Sequence, residues 1–233
     1  MIYTVTLNPA LDKTVQIPSF RLGEVNRISA MRTDPGGKGI NVSKVLRELG
    51  EPSVAAAILG GAAGQKIESA LHALGIEGMY LFTGHETRTN LKIVDPTLHT
   101  NTDVNEPGAP ADEAVLSKLL TQLTDRLRPG DLVVLSGKAP AGAPDTLYRD
   151  WILACRAAGA AVYLDAEGEL LRQGVTAGPA LIKPNQAELS GVMGWPLTTE
   201  DETIRAAQEL LAQGVGCVAV TMGAGGALLC WED

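Results

Sequence analysis

Short apolar runs of strand length alternate along this chain with stretches whose apolar residues recur at three- and four-residue spacing. The runs are Ile2–Leu7, Val54–Leu59, Leu132–Leu135, Ala161–Leu164, Ala180–Ile182 and Cys217–Val220. Between them, Ile67, Ala70, Leu71 and Leu74 share a helix face that stops at Gly75. Val115, Leu119, Leu123 and Leu127 share another, which stops at Pro129-Gly130. Thr199 and Glu202 have the spacing of a capping box, and Ile204, Ala207 and Leu211 follow before Gly214. Continuously apolar strands alternating with helices predict an α/β fold, a parallel sheet covered by helices on both faces.

Two segments depart from that rhythm. Thr14–Met31 and Thr89–Val104 alternate β-branched and polar residues around turns at Arg21–Glu24 and Asp95–Leu98. They predict a small antiparallel sheet outside the main one, formed by about residues 12–35 and 88–107, that could close over a ligand crevice. With no internal repeat, low-complexity tract or linker, residues 1–233 are expected to form one domain.

The richest chemistry lies in Gly36-Gly37-Lys38-Gly39-Ile40-Asn41. Paired glycines allow a tight turn and close approach to a ligand. Lys38 adds a compact positive charge, and the Asn41 amide can donate and accept. Val42, Val45, Leu46 and Leu49 then predict a helix whose N-terminus favours an anion. Asp12, just beyond the first strand, is placed to accept from sugar hydroxyls, or to cap a turn. Arg88 could join Lys38 on a phosphorylated substrate.

Farther on, Lys183 could reach nucleotide phosphates. Asn185 and Glu188, one helical turn apart, could hold the water shell of a magnesium ion, or equally cap a helix. In Thr221-Met222-Gly223-Ala224-Gly225-Gly226 the glycines could cradle a nucleotide, and Ala227–Trp231 predicts the second strand of a hairpin around them.

Charge and composition narrow the partners. Nineteen Lys and Arg against 27 Asp and Glu give a net charge of −8, with no basic run. Nucleic acid and anionic membrane are therefore not expected as partners. No segment has the make-up of a secretion signal or a membrane span, so a cytoplasmic enzyme is expected. Cys155, Cys217 and Cys230 are widely spaced in apolar stretches and predict buried free thiols. His72, His85 and His99 are scattered and predict no zinc site.

In order and spacing, "TLNPALD", "GGKGINVSKVLRELG", "ETRTNLKI", "LSGKAPAG", "LIKPNQAEL" and "VTMGAGGALL" resemble the PfkB-type sugar kinases of the ribokinase superfamily. The resemblance spans essentially the whole chain. It implies a ribokinase-like three-layer α/β/α sandwich with a small β-sheet lid, and a homodimer through that lid. Lysine in "GGKGIN" is similar to the phosphosugar branch containing 1-phosphofructokinase and tagatose-6-phosphate kinase, and "TDVNEPG" is more similar to the former. The implied reaction is ATP-dependent phosphorylation of fructose 1-phosphate to fructose 1,6-bisphosphate, with magnesium. Asp12, Gly37, Lys38, Asn41, Arg88 and the retained Ser136 match phosphosugar positions. Lys183, Asn185, Glu188, Thr221, Gly223 and Gly226 match nucleotide positions, with Asn185 and Glu188 also serving the metal through water.

Three departures qualify this picture. Lys138 and Ala139 occupy a stretch that is usually uncharged and serine-containing, and Glu167 stands where a small hydroxyl residue is common. Family members also continue to a "GAGD" segment with an anion hole and the catalytic aspartate. This sequence has Gly226 where "MGAGG" would need aspartate, and it stops at Asp233 before any such segment. The expectation is a C-terminally truncated chain with little or no kinase activity. The alternatives are a non-catalytic remnant that binds sugar phosphate or nucleotide, or a kinase of tagatose 6-phosphate.

Overall fold

The computed structural model describes residues 1–110 and 112–231. In chain order the strands and helices begin with β1 (Ile2–Thr6), β2 (Ala10–Gln16), β3 (Ala30–Gly36), α1 (Lys38–Glu48), β4 (Ser53–Gly60) and α2 (Gly61–Ala73). There follow β5 (Glu77–Thr83), β6 (Arg88–Asp95), β7 (Thr100–Asn105), α3 (Glu113–Arg126), β8 (Leu132–Ser136), α4 (Leu147–Ala157) and β9 (Ala161–Asp165). The last are α5 (Gly168–Val175), β10 (Leu181–Ile182), α6 (Gln186–Met193), α7 (Glu200–Ala212), β11 (Cys217–Thr221) and β12 (Ala227–Trp231). The main sheet has eight strands in the order β12-β11-β10-β9-β8-β1-β4-β5, parallel except for the β11–β12 hairpin.

Alternation along β4 divides two cores. Val54 and Ala56 join one with Leu119 and Leu123 of α3, and Ala55, Ala57 and Leu59 join the other with Ile67 and Leu71 of α2. Among the described residues the second core takes its helical members from α1 and α2 alone. Helices cover both faces of the sheet over part of its width. On the far strands Val162, Leu164, Val218 and Val220 are buried, while Tyr163 is exposed on the opposite face. Leu229 and Trp231 of β12, in register with Ala219 and Cys217, are exposed on that same side.

The second sheet runs β3-β2-β6-β7. It corrects the antiparallel expectation, because β2 and β6 pair in parallel while β2–β3 and β6–β7 are antiparallel. The cause is topological. β1 and β5 run the same way in the main sheet, and the chain continues from the carboxyl end of each into β2 and β6. The buried Asp95 carboxylate fastens the two hairpins together, accepting from the N–H groups of Ser19, Phe20, Thr97 and Leu98.

Helix α1 buries a different face from the one its apolar residues predict. Val45 and Leu49 are 53% and 72% exposed, while Gly39, Ile40 and Ser43 face inward. The helix lies so close to β1 that a Cβ on Gly39 would stand 2.5 Å from the Val5 carbonyl oxygen. At the closest contacts the residues are small or hydrogen-bonding, while Ile40 reaches into the second core. The Ser43 hydroxyl meets Thr4 Oγ1 at 2.7 Å and Ser53 Oγ at 2.9 Å. The three cysteines are free, but only Cys155 is buried and the other two are half-buried. Burial pushes the Cys155 thiol up to about 12. No helix among the described residues is long and apolar enough to cross a membrane.

Candidate active site

The site begins where β3 turns into α1. Gly37 has φ 115°, and a Cβ there would stand 2.5 Å from Thr6 Cγ2. Both the backbone and the space therefore demand glycine. Thr6 Oγ1, at the end of β1, accepts the Ile40 N–H at 2.9 Å. Thr6 thus caps α1 from the neighbouring strand, since the N-cap Gly37 has no side chain to do so.

Against this turn lies a cleft of about 460 Å³ whose walls include Gly37, Lys38, Asn41, Arg88 and Ser136. Five of the expected phosphosugar positions are therefore brought together. Asp12 is not among the lining residues. It lines the adjoining cavity, and Asn90, common to both, donates to Asp12 Oδ1 at 2.9 Å. Ser136 is buried, and its hydroxyl has no hydrogen-bond partner among the described residues.

Arg88 reaches the cleft already engaged. Its Nε donates to the Pro9 carbonyl at 3.3 Å, its Nη1 to the Glu106 carbonyl at 3.1 Å and Asn90 Oδ1 at 3.5 Å, and its Nη2 to the Asn8 carbonyl at 3.1 Å. Burial lowers its pKa from the ordinary arginine value, against the attraction of Asp12 and Glu106. Of five N–H groups one remains, so a two-pronged grip on phosphate would require release of a carbonyl.

Asp165, the last residue of β9, belongs to the site although it lies in none of the sequence motifs. Lys38 Nζ donates to Asp165 Oδ1 at 2.9 Å, and Lys183 Nζ pairs with Oδ2 at 3.1 Å. One carboxylate joins the glycine turn to the loop after β10. The signal was available in its position, since an acid closing an apolar parallel strand stands at the sheet end where ligands bind.

Beyond Lys183, Asn185 and Glu188 form a capping box at the start of α6. Asn185 Oδ1 accepts the Glu188 N–H, and Glu188 Oε2 accepts the Asn185 N–H, each at 2.8 Å. The Thr221 N–H donates to the Pro184 carbonyl at 3.0 Å, bringing the β11–β12 turn beside this loop. Gly223 and Gly226 hold that turn with φ 57° and 87°. All the expected nucleotide positions therefore lie along one edge.

A sequence model described as pfkB family carbohydrate kinase matches residues 5–233. The chain belongs to the pfkB family. It is 41% identical to 1-phosphofructokinase of Rhodobacter capsulatus over 98% of its own length and 72% of that enzyme's. With 1-phosphofructokinase of Bacillus subtilis it shares 36% identity over 98% of its length and 74% of the relative's. Its fold matches phosphofructokinase-2 of Escherichia coli in complex with fructose-6-phosphate at a TM-score of 0.95. That match has 31% identity and covers all of this chain and 77% of the other. The architecture is thus the ribokinase-like α/β fold of the pfkB kinases, with its second, smaller sheet.

Kinases of the pfkB family are phosphotransferases that use ATP, generally with magnesium. Among the described residues no group of three or more His, Cys, Asp or Glu could hold a bare ion. The capping box consumes Asn185 Oδ1 and one oxygen of Glu188, leaving the second carboxylate oxygen as a partner for coordinated water.

Proposed function

We propose that the described residues recognise ATP and fructose 1-phosphate, the two substrates of the phosphate transfer that gives fructose 1,6-bisphosphate. The observation that carries the reading is the convergence of Lys38, Arg88 and Ser136 on one cleft, with Lys38 tied through Asp165 to Lys183 on the nucleotide side. Curated relatives named 1-phosphofructokinase favour fructose 1-phosphate as the acceptor.

In this reading Lys38, the Asn41 amide and the remaining Arg88 N–H hold the sugar's phosphate. Ser136 gives the sugar phosphate the hydrogen bond that its hydroxyl does not make among the described residues, and Asp12 with Asn90 fixes sugar hydroxyls. Lys183, Thr221, Gly223 and Gly226 line the nucleotide, while Asn185 and Glu188 face the water shell of its magnesium ion. That ion would neutralise charge on the phosphates. Residues 1–233 act as one domain, with residues 12–35 and 88–107 serving as a lid over the sugar. Exposed Met31 and Val104 on that lid support a homodimer through it.

Titration calorimetry of the chain with fructose 1-phosphate, fructose 6-phosphate, tagatose 6-phosphate and fructose tests the reading. Tightest binding of fructose 1-phosphate is expected, with Lys38→Ala removing most of its advantage over fructose. Equal affinity for fructose and fructose 1-phosphate would overturn it. Tighter binding of another phosphosugar would move the acceptor without moving the site.

A further inference from the structure

Resting on the phosphosugar reading of the cleft, we propose that Lys138 is a third cation of that site and binds the sugar's phosphate directly. Lys138 lines the same cleft as Lys38 and Arg88. Its ammonium pairs with Glu167 Oε1 at 3.0 Å. Both residues are charged where the family resemblance has small or uncharged ones, and the fold brings the two departures into contact.

The three cations differ in how firmly they are held. Arg88 donates to three backbone carbonyls and to Asn90, and Lys38 shares the mostly buried Asp165 carboxylate with Lys183. Among the described residues Lys138 pairs with Glu167 alone, and the two side chains are 70% and 46% exposed. An ion pair so open to water is weak, so a phosphate dianion would displace Glu167 most easily of the three.

The backbone beneath Lys138, by contrast, is fixed. The Gly137 N–H donates to the Asp165 carbonyl at 2.9 Å, and its carbonyl accepts from the Tyr148 hydroxyl at 3.0 Å. A Cβ on Gly137 would stand 3.6 Å from Lys38 Cβ, so the two lysines leave neighbouring points of the cleft wall. A long, flexible side chain on a rigid turn can swing from Glu167 to an incoming phosphate while its Cα stays in place.

The test is calorimetric binding of fructose 1-phosphate, fructose and ATP to the chain and to Lys138→Ala, Lys138→Arg and Glu167→Gln. Lys138→Ala should weaken fructose 1-phosphate by about tenfold, the scale of one charge-assisted hydrogen bond, and leave fructose and ATP unchanged. Lys138→Arg should restore most of the loss, and Glu167→Gln should bind fructose 1-phosphate as tightly as the parent or more so. If the parent chain prefers fructose 1-phosphate but Lys138→Ala binds it equally well, the role of Lys138 falls and the site stands. A loss for ATP instead, or an equal loss with Glu167→Gln, would also overturn it. If the parent chain shows no preference for the phosphosugar, the reading of the cleft itself falls.

Discussion

Lys38 and Asp165, 127 residues apart in sequence, are joined at 2.9 Å, and the second oxygen of that carboxylate holds Lys183 at 3.1 Å. Two ammonium groups that would otherwise repel are thereby held at the boundary between the proposed sugar and nucleotide positions. Replacing Asp165 with Asn should lower stability by about 1–2 kcal/mol, because the carboxylate is partly buried and neutralises both lysines. Urea denaturation of Asp165→Asn checks this, and a midpoint equal to the parent's would refute it.

Gly37→Ala should be costly for two separate reasons, the positive φ and the crowding against Thr6. A loss of about 1–3 kcal/mol is expected, together with weaker phosphosugar binding as the start of α1 shifts. A variant with parent-like stability and affinity would show that the turn tolerates a side chain.

Ser136→Ala should separate stability from recognition. Its buried hydroxyl has no partner among the described residues, so removing it should leave the denaturation midpoint unchanged or slightly raised. Fructose 1-phosphate should bind about threefold to tenfold more weakly, reflecting one lost neutral hydrogen bond. Unchanged affinity in calorimetry would exclude Ser136 from the site.

Acid should loosen the second sheet. Burial alone would push the Asp95 carboxyl up, but N–H donors from Leu98, Phe20, Ser19 and Thr97 outweigh it and hold the pKa below its ordinary value of 3.8. The bond to the N-terminal ammonium, opposed by burial and aided by the Arg128 N–H, likewise lowers Asp131. A carboxyl whose folded pKa is depressed contributes stability above its unfolded value, lost as pH falls through the folded one. Stability should therefore drop below about pH 4, and Asp95→Asn should flatten that slope while destabilising the protein at neutral pH. Denaturation curves from pH 2 to 7 would decide it, and parallel slopes in the two proteins would count against Asp95.

The parallel strands β1, β4, β8, β9, β10 and β11 are legible in the sequence because an apolar run flanked by turns is a local signal. Glu77–Thr83 was not read as a strand, since Gly78, Tyr80 and Thr83 interrupt its apolar character and its outer edge is exposed. The parallel β2–β6 pairing was equally hidden, because it depends on how two distant hairpins dock. Within the site, Gly37, Lys38 and Ser136 were visible through their spacing to strands. Asp165 is hard to single out from sequence, because its two lysine partners lie 127 and 18 residues away and meet it only through the fold. For Asn185 and Glu188 the sequence left capping and metal binding open, and the structure shows the capping bonds.

The β2–β6 ladder joins seven consecutive residue pairs, from Ala10 with Arg88 to Gln16 with Val94. Closing so long a stretch of chain costs entropy before any rung forms, so this pairing should follow the nearer β1–β4 and β4–β5 contacts during folding. Arg88 sits on the first rung, which makes one wall of the cleft a late product of that sequence of events. Pulse-labelled amide exchange should find β4 protected before β6, and a newly made chain would acquire the Arg88 wall of its ligand site only once the distant β2 and β6 have met.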